Sequence, residues 1–239
     1  MKVAEKIAEQ IRQMADGNTF KYQELDISRE EYVAATKAIE RLVKEGVIRR
    51  ASTGLFYKPK QTVFGTLNPS EEELLKPYIF EGGKRVAYIT GTALYNQMGL
   101  TTQVPKNIRL ASRDKRIDVK IGNIKVTSIK SYVDISDKNY KILELLDVMK
   151  DFKSITDIDK KSAIKYISTR TIDIYDKDKT IEYTLKYPPR VRALAGAILE
   201  QIGITDNLNI LKDSLNPLSS FDLGLSIDQL PTVQKWNIL

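Results

Sequence analysis

Apolar positions in the first sixty residues recur at helical spacing, then switch to short extended runs. Val3, Ile7, Ile11 and Met14 lie three or four apart, which predicts an amphipathic helix stopped by Asp16-Gly17-Asn18. Phe20, Tyr22 and Leu25 predict a short second helix. Ser28 with Glu31 three residues on is a capping signal for a longer helix. That helix carries Tyr32, Ala35, Ile39 and Leu42 on one face and ends at Gly46. Val47-Ile48 and Leu55-Phe56-Tyr57 then flank Ser52-Thr53-Gly54, the pattern of two strands and a turn. Helix, helix, helix and hairpin in that order predict a winged helix-turn-helix over residues 1–61, with a linker near Lys58–Thr66 punctuated by Pro59 and Gly65.

The remaining chain, 62–239, reads as a larger second domain. Asn68, with Pro69 and Glu71 behind it, is placed to cap a short helix, and Glu81-Gly82-Gly83-Lys84 is a turn. No Gly-Lys-Ser/Thr follows those glycines and the strand comes after them, so they do not form a phosphate loop. Val86–Ile89 predicts a strand, Thr92–Met98 a helix closed by Gly99, and 108–111, 118–121 and 124–127 further strands, the last two joined by Gly122-Asn123. From Lys138 the period becomes helical. Ile142, Leu145, Leu146 and Met149 mark one helix, and Ala163, Ile164, Ile167 and Ile172 another. A third starts at Pro188-Pro189, carries Val191, Leu194, Ile198 and Ile202, and stops at Gly203. The expected fold class is therefore α+β: a small α+β unit at about 62–130 and a helical region at about 131–239 follow the N-terminal domain. The tail holds scattered apolar anchors at Leu223, Leu225, Ile227 and Leu230, suited to packing on its own domain or to docking a partner.

Charge gives the helix and hairpin a candidate chemistry. The outward face of the 32–44 helix and its approach carry Arg29, Val33, Lys37, Arg41 and Lys44, diluted by Glu30 and Glu40. Arginine and lysine can reach guanine O6 and N7 in a major groove, and an exposed valine can meet a thymine methyl. The hairpin carries Arg49, Arg50, Lys58 and Lys60, with Ser52 and Thr53 at its turn and no acid between Gly46 and Lys60. A basic hairpin suits phosphate. The same fold also serves as a protein-docking module, and charged faces are commonly just solvated. A second cluster, Lys106, Arg109, Arg113, Lys115 and Arg116, reads either as a further anion-binding surface or as the guarded edge of a sheet.

Composition narrows the chemistry. The 239 residues contain no Cys and no His, so a cysteine or serine–histidine nucleophile and a thiolate or imidazole metal site are excluded. Asp173, Asp176 and Asp178 lack the glycine and distal glutamate of a calcium loop. Asp157-Ile158-Asp159 lacks the upstream Gly-Ser helix start of nucleotidyl transfer sites. No catalytic residue, metal or cofactor is expected. No run of eighteen apolar residues and no apolar leader after Met1-Lys2 point to a cytoplasmic protein without a membrane span. The net charge of +7 is compatible with a polyanionic partner.

Residues 86–105, VAYITGTALYNQMGLTTQVP, resemble the signature of AbiEi-type antitoxins, a Leu-Tyr-x-x-x-Gly-Leu-Thr-x-Gln-x-Pro run matched here by Leu94-Tyr95, Gly99-Leu100-Thr101, Gln103 and Pro105. The order of parts over about 1–210 is similar too. The resemblance implies an antitoxin of a type IV toxin–antitoxin module linked to abortive infection. It implies double-stranded DNA as a partner, at inverted repeats in the protein's own promoter, and autorepression through the winged helix. It also implies a nucleotidyltransferase toxin as the functional counterpart, opposed without a stable complex. The motif consists of packing and turn residues, and the neutralising surface does not follow from it.

Overall fold

The structure is a computed structural model and describes residues 2–239. It is α+β, and the chain divides into two compact units: one runs to Gly83 and takes in Val119–Lys125, the other comprises Lys84–Asp118 and Val126–Leu239.

In the first unit, α1 (Val3–Gln13) and α2 (Tyr32–Lys44) pack together, with β1 (Thr19–Lys21) and one 3-10 turn (Tyr22–Glu24) between them. The second helix expected from Phe20, Tyr22 and Leu25 is therefore a strand and a tight turn. Phe20 pairs across the ladder with Phe56, their rings 5.8 Å apart, and this cross-strand contact competes successfully with helix formation. β2 (Arg49–Ser52) and β3 (Leu55–Tyr57) complete an antiparallel sheet of order β1-β3-β2, bulged at Ala51. Ile7, Ile11, Phe20, Leu25, Ala35, Ala38, Ile39, Leu42, Ile48 and Phe56 make the core.

Ser28 and Glu31, expected to cap α2, bond to each other in the turn just ahead of it, and the helix itself starts at Tyr32 with Glu31 as its N-cap and no side-chain cap bond. Ser28 N–H donates to Glu31 Oε2 (2.9 Å) and Glu31 N–H to Ser28 Oγ (3.3 Å), and the first of these bonds holds the Glu31 carboxyl below its ordinary range. Its end is a Schellman-type closure: Gly46, at φ +76°, donates to the Val43 carbonyl and Val47 to that of Leu42. Tyr32 departs from its expected inward position. It is half exposed, its ring 5.6 Å from that of Tyr22, while Ala38 lines the core.

The expected boundary at 61/62 lies inside this unit. The segment expected as linker forms a second hairpin, β4 (Lys60–Thr62) with β5 (Gly65–Leu67). It leads to α3 (Glu71–Ile79), which is capped by Ser70 rather than Asn68: Glu73 N–H donates to Ser70 Oγ at 3.2 Å. Helix α3 packs on β1, where Thr19 Oγ1 donates to the Glu73 carbonyl (2.9 Å) and Lys21 Nζ to that of Pro77 (2.6 Å). Those long-range bonds, invisible to local pattern, hold α3 in the first unit. β6 (Phe80–Glu81) and β7 (Lys84–Arg85) enclose the Gly82-Gly83 turn.

The second unit pairs β8 (Ala87–Thr90) antiparallel with β9 (Asn107–Ser112), and α4 (Thr92–Gln97) follows β8. Beside β9 lies β11 (Ile124–Lys130), which belongs to this unit from Val126 on, while Val119–Ile121 of β10 (Asp118–Ile121) belong to the first unit. The helices α5 (Tyr140–Asp151), α6 (Lys160–Ile174), α7 (Lys177–Leu185), α8 (Pro189–Gln201) and α9 (Leu208–Asp213) gather around α8, which is buried along most of its length. α7 has no counterpart in the sequence pattern, because its inner face is built from Thr180, Ile181 and Thr184 and gives little apolar period. Asp176 and Asp159 cap α7 and α6 by accepting from Lys179 N (2.9 Å) and Ser162 N (2.6 Å). On α6 the inner position is Thr171, and Ile172, expected inside, is exposed. The tail packs on its own unit, burying Leu223, Leu225, Leu230, Val233, Trp236 and Ile238; Ile227 stays exposed.

Glu144 on α5 supplies a pH test of this core. Burial pushes its carboxyl up to about 7 from an ordinary 4.5, against the lowering effect of Arg85, Lys141 and Arg170. The folded unit thus holds a proton that the unfolded chain releases between those values. Its stabilising contribution is present below pH 4.5 and lost as pH rises to about 7, an effect on the order of 1–3 kcal/mol. Glu144→Gln should match the parent in acid and be the more stable above neutrality, by urea titration at each pH; equal stability at both would refute it.

Candidate nucleic-acid interface

The outward face of α2 presents Val33, Lys37, Arg41 and Lys44 as one stripe at intervals of four, four and three residues, all exposed, with Val33 66% accessible. Arg29 stands exposed in the turn ahead of the helix. Glu40 lies in the same stripe, and Arg41 Nε sits 3.5 Å from Glu45 Oε1, so its charge is partly answered within the helix. Among the described residues, Arg29, Lys37, Lys44, Arg49 and Lys60 have no ion-pair partner.

The four cations expected on the hairpin take different roles, and only Arg49 and Arg50 lie on β2–β3 itself. Arg49 is exposed opposite Tyr57 in the ladder. Arg50 is exposed too, but its guanidinium lies 5.4 Å from the Phe56 ring centre, a cation–π contact that fixes its direction. Thr53 is at the turn, and Ser52 is half buried with its Oγ 3.4 Å from Tyr78 Oη. Lys58, expected among the phosphate contacts, is spent inside the unit. Its Nζ donates to the carbonyls of Arg12 (3.1 Å) and Met14 (2.8 Å) and stands 3.1 Å from Asp16 Oδ1, so it closes the C-terminal end of α1. Local sequence showed no acid near Lys58; the acid arrives from forty residues away. Lys60 lies beyond the sheet, exposed at the start of β4.

The second cluster, Lys106, Arg109, Arg113, Lys115 and Arg116, is exposed but does not act as one set. Arg113 Nη1 donates to the Ser131 carbonyl (3.0 Å) and its Nε faces Asp134 at 3.4 Å, tying the start of one loop to another. Arg109 alternates with the buried Ile108 and Leu110 on β9 and borders a polar cavity of about 230 Å³. Thr92, Tyr95, Thr101, Gln103 and Asp151 share that lining, and Tyr95 Oη donates to Asp151 Oδ2 at 2.7 Å. Thr92, Tyr95, Thr101 and Gln103 belong to the 86–105 run, so its residues line this cavity besides packing and turning the chain. No signal in the sequence pointed to Asp151 as their neighbour. Among the described residues no helix is long and apolar enough to cross a membrane.

The model of a protein family described as a family of unknown function (DUF6088) matches residues 6–180. The crystal structure of the RV2827C protein from Mycobacterium tuberculosis is similar over 93% of this chain and 85% of that one, with 11% sequence identity and a TM-score of 0.53, a likeness of fold alone. No curated protein matches the chain.

Proposed function

We propose that this chain, which belongs to the DUF6088 family, is a DNA-binding protein whose first unit engages duplex DNA as a winged helix, with α2 as the reading helix and β2–β3 as the wing. The observation that carries the reading is the exposed, unpaired cation of Arg49, beside Arg50, on a hairpin that extends from the same core as the outward stripe of α2. Phosphate contacts from a wing and base contacts from a helix are the division of labour such a surface supports. In the place of a second helix the fold has β1, a 3-10 turn and the irregular 25–28 segment, so orientation falls to the wing and to Arg29. The further roles, repression of its own promoter and antitoxin action against a nucleotidyltransferase, rest on the resemblance of residues 86–105.

Double replacement of Arg49 and Arg50 by alanine should weaken binding to all duplexes alike, roughly ten-fold or more at low salt. It should also lower the slope of log affinity against log salt by about 2, one for each phosphate contact removed. Arg49→Ala alone, which leaves the Phe56 contact intact, should give half of that change without affecting the fold. Unchanged affinity and slope by gel shift across salt concentrations would refute the wing. A parent protein with no affinity for DNA at low salt would leave a protein-docking module as the reading.

A further inference from the structure

The β4–β5 hairpin ends in an unusual pair of side chains. Thr62 pairs with Gly65, so the loop between them is Val63-Phe64, and these residues are 94% and 98% exposed. Two-residue hairpin loops favour asparagine, aspartate and glycine, whose backbone and solubility suit the position. Valine and phenylalanine there bury no apolar area in the fold, so folding gives no reason for them.

The tip is nonetheless held firmly. Thr62 Oγ1 donates to the Gly65 carbonyl (2.7 Å) and accepts from Phe64 N–H (3.3 Å), and Gly65 takes φ +113° to close the turn. Thr66 Oγ1 donates to Gln61 Oε1 across the strands at 3.0 Å. At the base, Pro59 is buried and Tyr57 Oη donates to Asn68 Oδ1 (3.0 Å), which anchors both ends of the hairpin to the wing strand β3. An apolar tip presented in one conformation loses little freedom when it inserts into a partner.

Charge selects the partner. From Gly46 to Ser70 the chain has no acidic residue; Arg49, Arg50 and Lys60 stand exposed on it, while Lys58 is taken up by Asp16 and the end of α1. The tip therefore belongs to a segment suited to a partner that is anionic outside and apolar within. Duplex DNA has that construction, with phosphates outside and stacked base faces inside. The strands project the tip by roughly 10 Å, at about 3.3 Å per residue. The minor groove is about 7.5 Å deep, so the reach is sufficient. Two side chains fit a single base step, whereas a membrane anchor needs a wider apolar face.

We propose that the β4–β5 hairpin is an apolar wedge that enters the minor groove and partly unstacks one base step, with Phe64 and Val63 inserting and Lys60 contacting phosphate. The wedge rests on the DNA-binding reading above and adds a deformation of the duplex to it.

The test uses the full chain and short duplexes from the DNA upstream of its gene, carrying 2-aminopurine at each pyrimidine–purine step in turn. With the parent protein at saturation, the fluorescence of one step should rise several-fold as that base unstacks. Phe64→Ala should abolish most of the rise and weaken binding about ten-fold, with an unchanged salt slope because no phosphate contact is lost. Phe64→Trp should retain both. The almost complete exposure of Phe64 means that its replacement should leave the melting temperature unchanged. Binding without brightening at any step, or a Phe64→Ala protein that brightens DNA like the parent, overturns the wedge. So does parent binding to phosphatidylserine vesicles, or parent self-association on gel filtration, that Phe64→Ala removes. If the parent binds no DNA at all, the DNA-binding reading itself fails, and the wild-type gel shift shows this before any variant is made.

Discussion

Replacing Asp147 with alanine should destabilise the second unit by about 3–5 kcal/mol, the range for breaking one side of a buried ion pair. Asp147 sits on α5 and is 2% exposed. Its Oδ1 lies 2.9 Å from Lys150 Nζ and 3.4 Å from Tyr187 Oη; its Oδ2 accepts from Thr90 Oγ1 (2.7 Å) and Tyr88 Oη (3.0 Å). One carboxylate thus joins α5 to strand β8 and to the turn ahead of α8. Burial pushes the Tyr88 and Tyr187 hydroxyls well above their ordinary range, with the neighbouring carboxylate adding to the shift, so both stay protonated and donate. Alanine leaves four donors without their acceptor, among them an ammonium whose side chain is only 12% exposed. Asp147→Asn, which keeps shape and one acceptor oxygen, should lose less. Adding Lys150→Met to Asp147→Ala should recover part of the stability, because the orphaned charge goes with it. Thermal and urea unfolding check the series; a loss under about 1 kcal/mol for Asp147→Ala would show that water replaces the carboxylate.

Asp147 also marks where the sequence stops being legible. The helix around it could be read from Ile142, Leu145, Leu146 and Met149, since a 3.6-residue period needs no knowledge of the partner. The Ser28–Glu31 turn ahead of α2, the Gly46 closure, the hairpin at Gly54 and the start of α8 at Pro189 were legible for the same reason: each is set by residues within one turn of the chain. What Asp147 does could not be read, because three of its four donors, Tyr88, Thr90 and Tyr187, lie forty to fifty-nine positions away and only Lys150 is local. The same physics explains the misplaced features. Phe20 is drawn into a strand by Phe56, α3 is held to the first unit by Thr19 and Lys21, and Lys58 is taken from the basic surface by the end of α1. In each case a tertiary hydrogen bond or ring contact decides between local options of similar energy.

The candidate interface shows the same division. The exposed stripe of α2 follows from helix geometry alone, and its charges were legible. Which hairpin cations remain available was not, because that depends on Asp16, Phe56 and the α1 carbonyls. The Val63-Phe64 tip was hidden for a different reason: between Pro59 and Gly65 the apolar pair falls in a stretch whose punctuation reads as linker, and only the pairing of Thr62 with Gly65 turns it into a presented tip.

Gly196→Ala should destabilise the second unit by about 1–3 kcal/mol or more, the range for overpacking a filled core, although helix propensity alone favours alanine by about 1 kcal/mol. Gly196 lies inside α8 with an ordinary helical backbone, so nothing in its own conformation requires glycine. The requirement comes from the tail: a Cβ there would stand 2.2 Å from two ring carbons of Trp236 and 2.6 Å from a third. Trp236 cannot easily withdraw. It is 2% exposed, its Nε1 donates to Glu200 Oε2 at 2.8 Å one turn along the same face of α8, and Lys235 Nζ holds the other oxygen of Glu200 at 2.5 Å. The alanine methyl must therefore lift the indole and break the anchor of the last residues. Trp236 is the only tryptophan of the chain, so its emission should shift to the red as the ring meets water, in step with the loss of stability. In a Trp236→Ala background the same Gly196→Ala change should be neutral or stabilising, since the obstacle is gone and the propensity gain remains. A Gly196→Ala protein with parental emission and equal or greater stability would mean that the tail accommodates the methyl and that the fit of indole on glycine does not hold it in place.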